Sequence, residues 1–215
     1  RPSRLTYMPY QNRVDPWGAL HAVARRGTLL GNRGIIHDAN QNIVATHILQ
    51  AWITCGLAYK GKRRQIMSPR TWTELFFLDE VTAFSAGHRP CAYCRRSRYN
   101  AFKTAWLQAN RHLLEGQPER INRIDRIIHR ERIKRAKKVT YTAPLQSLPA
   151  GTMIELQSHA HVVWDGGLYQ WSFSGYQFAL AIQSNDAVTV LTPKSYVDTF
   201  RQGFTPQVHA SVMSH

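Results

Sequence analysis

The stretch Ala86-Gly-His-Arg-Pro-Cys-Ala-Tyr-Cys-Arg-Arg96 holds two of the chain's three cysteines, separated by two residues and set among arginines. A Cys-x-x-Cys turn directly ahead of a helix presents two thiolates to one point in space, as a tetrahedral metal requires. Such a pair has to be completed from elsewhere, so the segment that carries the remaining ligands must fold back onto this turn. Cys55, the remaining cysteine, is expected on a strand and is the natural third ligand. His88, three residues before Cys91, is the nearest candidate for the fourth, with His37 and His47 as alternatives. A redox role fits less well, because a thioredoxin-like pair follows a strand inside a β-α-β unit, and here a helix is expected before the pair. A zinc deaminase also fits poorly. Pro90-Cys91-Ala-Tyr-Cys94 matches the second half of its signature, but Leu57 stands where a general acid/base Glu would follow the first ligand. The implied cofactor is zinc. An odd number of cysteines suits a reducing compartment better than a disulfide framework, so a cytoplasmic location is expected.

Charge narrows the partner. The chain carries 28 Lys and Arg against 13 Asp and Glu, a formal +15. A basic chain of this kind associates with polyanions, nucleic acid before all others and DNA in first place. No apolar run approaches the roughly 18 residues that cross a bilayer, and no amphipathic helix with an aromatic face points to a membrane surface. Arg89, Arg95, Arg96 and Arg98 surround the cysteine pair with no acid among them. Lys62, Arg63 and Arg64 follow the Cys55 strand, and Arg130, Lys134, Arg135, Lys137 and Lys138 mark the end of a later basic stretch. These twelve are the expected nucleic-acid contacts.

The expected architecture is α+β: a zinc-knuckle module with β-hairpins and helices, plus a small β-rich C-terminal domain. Residues 27–44 alternate β-prone runs with turn residues and read as hairpins. Gln50 to Tyr59 reads as a strand. Thr73 to Phe84 is expected as a helix ending at Gly87, and Ser97 to Leu114 as a second helix with Tyr99, Phe102, Trp106 and Leu113 on its buried face. Glu119 to Lys138 reads as a third, basic helix with Ile121, Ile124, Ile127 and Ile128 as its apolar stripe. Five short strands then follow between Met153 and Leu191, with a short helix from Ser195 to Arg201. The division implied is residues 1–115 for the module, 116–140 for a basic helix or linker, and 141–215 for the β-rich domain.

The run Phe77-Leu-Asp-Glu-Val-Thr-Ala-Phe-Ser-Ala-Gly-His-Arg-Pro-Cys-Ala-Tyr-Cys-Arg95 resembles the end of the zinc-binding domain of Ada-type DNA repair proteins, in which a helix runs into Gly-Phe-Arg-Pro-Cys-x-x-Cys. The resemblance covers roughly residues 50 to 100. It implies a zinc-containing DNA-binding module in which four cysteines hold the metal and one of them takes a methyl group from a DNA phosphotriester. Here Cys55 falls near the first position of the family's earlier Cys-x-x-x-Cys pair, and Tyr59 stands in place of the second.

The leading expectation is therefore a zinc-containing DNA-binding protein of DNA repair or modification. One alternative is a DNA-acting enzyme, a glycosylase or nuclease using a carboxylate beside the basic patch. Glu74, expected in the first turn of the helix leading to the knuckle, is the first choice for that carboxylate, although a Glu there also suits the helix dipole. Another alternative is a zinc-stabilised protein-interaction domain.

Overall fold

A computed structural model describes residues 8–58 and 65–213. It is an α+β structure with two six-stranded sheets and four helices. The first sheet is built from β1 (Arg13–Val14), β2 (Leu20–His21), β3 (Leu29–Asn32), β4 (Ile53–Gly56) and β5 (Leu75–Phe77). After α1 (Glu80–Ser85) the chain adds β6 (Arg89–Pro90) to the same sheet, giving the order β2-β1-β5-β3-β4-β6. Two helices follow, α2 (Arg96–Asn110) and α3 (Ile121–Arg132), and then a small hairpin of β7 (Ile133–Lys134) and β8 (Lys137–Lys138). The second sheet uses β9 (Tyr141–Pro144), β10 (Met153–Leu156), β11 (His159–Trp164), β12 (Gly167–Ser172), β13 (Gly175–Ala181) and β14 (Ala187–Val190), with α4 (Lys194–Arg201) last. Its order is β13-β12-β11-β10-β14-β9, antiparallel throughout. The Asp165-Gly166 turn between β11 and β12 has both residues at positive φ, 43° and 73°, as the right-handed twist of a two-residue hairpin favours.

Two helix expectations need correction. The predicted helix over 73–84 is a strand followed by a shorter helix. Leu75 to Phe77 pairs antiparallel with β3, and α1 begins only where the Asp79 carboxylate accepts the Thr82 amide at 2.8 Å. Leu75 and Phe77 are fully buried and the strand is three residues long; so short an apolar run carries no period that separates strand from helix. The third helix stops at Arg132, not Lys138. Arg135 and Ala136 turn the chain at φ 49° and 61°, a left-handed pair normally supplied by Asn-Gly, so no turn signature marks the hairpin in the sequence.

The short helix α1 is wholly buried and contributes to three cores at once. Phe84 joins Phe102 and Trp106 of α2, Ile124 and Ile128 of α3, and Tyr196 and Phe200 of α4. Val81 packs with Met153, Val162, Tyr176 and Leu191 of the second sheet region. Ala83 lies with Val14, Ile36, Leu75 and Phe77 of the first sheet. The segments expected as module, linker and β-rich domain thus share their cores, and α3 is packed by its isoleucine stripe rather than free as a linker. Gly87 ends this region at φ +93°, where a Cβ would stand 2.4 Å from Arg132 Cδ; the position needs glycine for both backbone and space.

α3 is also fastened by charge. Arg89 on β6 donates from Nε and Nη2 to the two carboxylate oxygens of Asp125, at 2.7 and 2.8 Å, with both side chains buried. Arg89, expected to contact nucleic acid, is therefore an internal tie, and Asp125 is the acid that its sequence neighbourhood lacked. Removing one partner of such a pair leaves an uncompensated buried charge. Asp125→Ala is expected to destabilise the protein by about 3–5 kcal/mol, read as a lowered midpoint in urea unfolding; a loss below about 1 kcal/mol would mean the pair is solvated.

Candidate metal centre and basic surface

The parallel pairing of β4 with β6 brings the three cysteines together. Ile53 stands opposite Arg89 and Thr54 opposite Pro90, and the ladder continues one step as the Cys91 amide donates to the Thr54 carbonyl at 2.9 Å. Cys91 therefore emerges beside Cys55 of β4. The chain then closes a tight turn, with the Arg95 amide donating to the Cys91 carbonyl at 3.2 Å, and this turn returns Cys94 to the same point. The Sγ atoms of Cys55, Cys91 and Cys94 all lie within 4.8 Å of one another. Thiolates about 2.3 Å from a shared tetrahedral ion stand about 3.8 Å apart, so the group fits a metal ion.

The surroundings suit negative sulfur. The Tyr93 amide donates to Cys91 Sγ at 3.4 Å, and α2 begins immediately after the turn, directing the positive end of its dipole there. The hydrogen bond from Cys55 holds Cys91 well below the ordinary thiol range, helped by the amides of Cys94 and Tyr93. The same bond, with burial, pushes Cys55 up.

His88 is not the fourth ligand. Its side chain is completely buried, Nε2 accepts from Arg33 Nε at 2.9 Å, and Nδ1 donates to the Ile53 carbonyl at 3.1 Å. Both ring nitrogens are thus engaged away from the sulfurs, and burial together with Arg33 holds the ring well below its ordinary pKa. His37 is bound between Thr73 Oγ1 and the Ser68 carbonyl, while His47 rests against Trp52 and His129. Among the described residues no His, Asp or Glu joins the three cysteines. Glu74 is likewise not in a helical turn. It directly precedes β5, is 2% exposed, and accepts the Met67 amide at 2.7 Å, so it is an internal acceptor rather than a surface carboxylate.

The arginines around the knuckle divide sharply. Arg95 reaches Glu80 at 2.9 Å, Thr54 Oγ1 at 3.0 Å and Gln207 Oε1 at 2.9 Å. Arg98 also pairs with Glu80, at 2.5 Å, and stacks its guanidinium 4.3 Å above the Phe204 ring. Arg96 alone of the four is exposed. The knuckle is therefore fastened by arginines rather than fringed by them, and Glu80 and Asp125, which satisfy three of the four, were not visible as partners because both lie on other elements. Lys62, Arg63 and Arg64 lie outside the described residues.

The remaining expected contacts lie on α3 and the hairpin. Arg130, Lys134, Arg135 and Lys137 are exposed, and Arg120 and Arg126 are exposed with them. Lys138 differs: its ammonium donates to the Ser85 carbonyl, and burial, reinforced by Arg33 and Arg132, lowers it from the ordinary 10.5 to about 7. It is a half-buried cation committed to an internal carbonyl rather than a free surface contact.

No family model matches the chain, and no curated protein or solved structure matches it significantly. Among the described residues no helix is long and apolar enough to cross a membrane.

Two measurements follow from this geometry. Cys55→Ser, Cys91→Ser and Cys94→Ser should each weaken metal retention by orders of magnitude in metal analysis of the purified protein, while His88→Gln should retain the parent stoichiometry; metal retained by Cys55→Ser would reduce the site to the Cys91–Cys94 pair. For Lys138, the folded-state pKa lies below the unfolded value, so the unfolded chain binds the extra proton and the cost of burying the charge, full below about pH 7, fades as pH rises toward 10.5. The stability of Lys138→Met relative to the parent should therefore shrink by about 1.4 kcal/mol per pH unit above neutrality, measured by denaturation between about pH 7 and 9.5. A constant difference would place the ammonium in water.

Proposed function

We propose that the chain is a zinc-containing nucleic-acid-binding protein, with DNA as its first partner, in which the metal fastens the fold and the outer face of α3 and its hairpin meets the phosphates. The observation that carries this reading is the composition of that face. From Arg120 to Lys137, seven cations (Arg120, Arg123, Arg126, Arg130, Lys134, Arg135 and Lys137) are exposed or half-buried with no ion-pair partner among the described residues. Both acids of the same segment are turned inward, Asp125 to Arg89 and Glu131 to the Ser195 amide and hydroxyl. A solvated surface normally interleaves both signs; this one is sorted, which makes it an electrostatic footprint.

The thiolate set supports zinc, since soft sulfur ligands select Zn, Cu(I) or iron–sulfur centres over hard cations, and a closed zinc site contributes folding free energy directly. The resemblance of residues 77–95 to Ada-type modules supports a role in DNA repair or modification.

One observation favours a second reading, a DNA-acting enzyme. Three protein ligands with an open fourth position are the pattern of catalytic zinc, and residues 1–7, 59–64 and 214–215 add only His215 to the possible donors of the Cys, His, Asp and Glu type. A zinc ion held by the three thiolates would supply Lewis-acid chemistry or an activated thiolate there.

The test is the salt dependence of binding to duplex DNA, single-stranded DNA and RNA, with strand cleavage and base release followed in the same samples. Arg126→Ala with Arg130→Ala should flatten the slope of log affinity against log salt by about 1.8 units on duplex DNA, while Arg96→Ala flattens it by at most about 0.9. A parent protein whose affinity does not respond to salt would sink the reading, and a double variant with the parent slope would move the contact surface off α3.

A further inference from the structure

Two buried guanidiniums and a half-buried ammonium converge on one cavity, and among the described residues no carboxylate is bound to any of them. The cavity, about 610 Å³, lies between the β1–β2 turn, the segment Ile43–Thr46, and the end of α3 with its hairpin. Arg33, Arg132 and Lys138 all line it. Arg33 and Arg132 are each 2% exposed, and each is held by neutral acceptors. Arg33 donates to His88 Nε2 and the Gly18 carbonyl, Arg132 to the carbonyls of Gly87 and Gln50 and to His129 Nδ1, and Lys138 to the Ser85 carbonyl. Both guanidiniums lie over the Trp52 ring, at 4.0 and 3.8 Å from its centroid. Among the described residues, two of their donors remain buried without a partner, Arg33 Nη2 and Arg132 Nε. The Arg33 Nη2 atom sits against Gly18, where an added Cβ would be 3.5 Å from it.

Buried charges are ordinarily paired, and donors of this strength ordinarily satisfied. Arg33 and Lys138 feel Asp15 through space and Arg132 feels Asp125, and both acids are already occupied, Asp125 by Arg89. The Asp15 carboxylate accepts from the Ala19 amide at 2.9 Å and pairs with His21 Nε2 at 2.7 Å. Burial and mutual repulsion consequently depress Arg33 to about 9 and Lys138 to about 7. With both acids engaged elsewhere, the positive charge of this cluster is left for an anionic ligand to neutralise. Guanidinium forks match the oxygens of a phosphate, with a lysine as the usual point charge beside them. A phosphate group alone would not fill the space. The outer walls are largely apolar, from Trp17, Leu20, Ile43, Val44 and Ile133, and the volume is that of a site for a whole small molecule.

We propose that this cavity binds a phosphate monoester carried on an apolar or planar body, with Arg33, Arg132 and Lys138 on the phosphate and the Trp17–Leu20 and Ile43–Val44 walls on the body. The site is separate from the basic outer face of α3 and does not depend on it. The same chemistry is offered by a free phosphate ester and by the terminal phosphate of a nucleic-acid strand.

Titration calorimetry on the full, metal-loaded chain tests it with phenyl phosphate as the probe, phenol and inorganic phosphate as its two halves, and 5′-phosphorylated and 5′-hydroxyl oligonucleotides as competitors. Phenyl phosphate is expected to bind and to raise the thermal transition, phenol to give no binding, and inorganic phosphate to compete weakly. Lys138→Met should weaken phenyl phosphate about tenfold or more. Ala19→Trp, which fills the mouth from an exposed wall position, should do the same without touching a charge. Both variants should leave the salt slope on circular duplex DNA, which has no ends, unchanged, so failure here is separable from failure of the nucleic-acid reading. Competition by the phosphorylated strand alone would assign the source to nucleic-acid ends, and absence of competition would assign it to a free ester. No binding of phenyl phosphate at millimolar concentration, or parent affinity in every variant that folds, overturns the proposal.

Discussion

The buried carboxylates that open α1 hold the two halves of the molecule to one another. Asp79 caps the helix through the Thr82 amide and hydroxyl and, with its other oxygen, accepts from the Tyr176 hydroxyl and the His209 amide, both at 2.9 Å. Glu80, beside it, receives Arg95, Arg98 and the Gln207 amide. Two adjacent acids thus connect the helix start, the second sheet, the C-terminal segment and the turn that carries the cysteines. Burial pushes Asp79 up, opposed by the hydrogen bonds from Thr82, His209 and Tyr176; the carboxylate is tolerated inside because its oxygens are satisfied from several directions. Such a node is better at specifying one arrangement than at stabilising it, since the desolvation of buried ions offsets much of their attraction.

The three-cysteine cluster inherits its geometry from this node. Cys94 is followed by Arg95, whose guanidinium is fixed by Glu80 below and by Thr54 of the Cys55 strand. Thr54 is also the residue whose carbonyl receives the Cys91 amide. One arginine therefore ties the turn to both the strand that supplies the third thiolate and the helix whose sides fill three cores. A metal bound at the cysteines would close a loop already defined by hydrogen bonds, so binding would require little rearrangement of the ligands.

What the sequence disclosed is what depends on local spacing. The Cys91–Cys94 turn, the helix behind it with Phe102 and Trp106 on one face, the isoleucine stripe of α3 and five of the six strands of the second sheet are each written in a few consecutive residues, and the structure places these close to where spacing puts them, whereas β9, which pairs with β14, was not among the strands expected. Cys55 as the third member was inferred from cysteine arithmetic alone, and the parallel β4–β6 pairing is its physical cause. The failures at the candidate site are of one kind. His88 was nearest in sequence but its ring is claimed by Arg33, 55 residues away. Arg89 and Arg98 stood in a run without acids, yet their partners Asp125 and Glu80 are 36 and 18 positions distant. A charge count along the chain cannot see pairing that topology creates, and a helical period cannot announce a hairpin whose turn is Arg-Ala.

The same sorting bears on the meaning of a net charge of +15. Part of the positive charge is structural: Arg89 serves as an internal strut matched to Asp125, and Arg95 and Arg98 share Glu80. Another part, at the buried Arg33 and Arg132 and the half-buried Lys138, has no acid bound to it among the described residues, and its desolvation works against folding. A further part stands outward on α3 and its hairpin, with no ion-pair partner among the described residues. Only the outward set can respond to ionic strength as exposed charges do, because interior charges are shielded from mobile ions. Surface and cavity therefore address different ligands by different physics. The outer face offers long-range, salt-sensitive attraction to a polyanion. The cavity offers short-range, oriented donors to a single dianionic group, and its selectivity comes from the hydrogen-bond geometry of two guanidiniums rather than from the field of the whole protein.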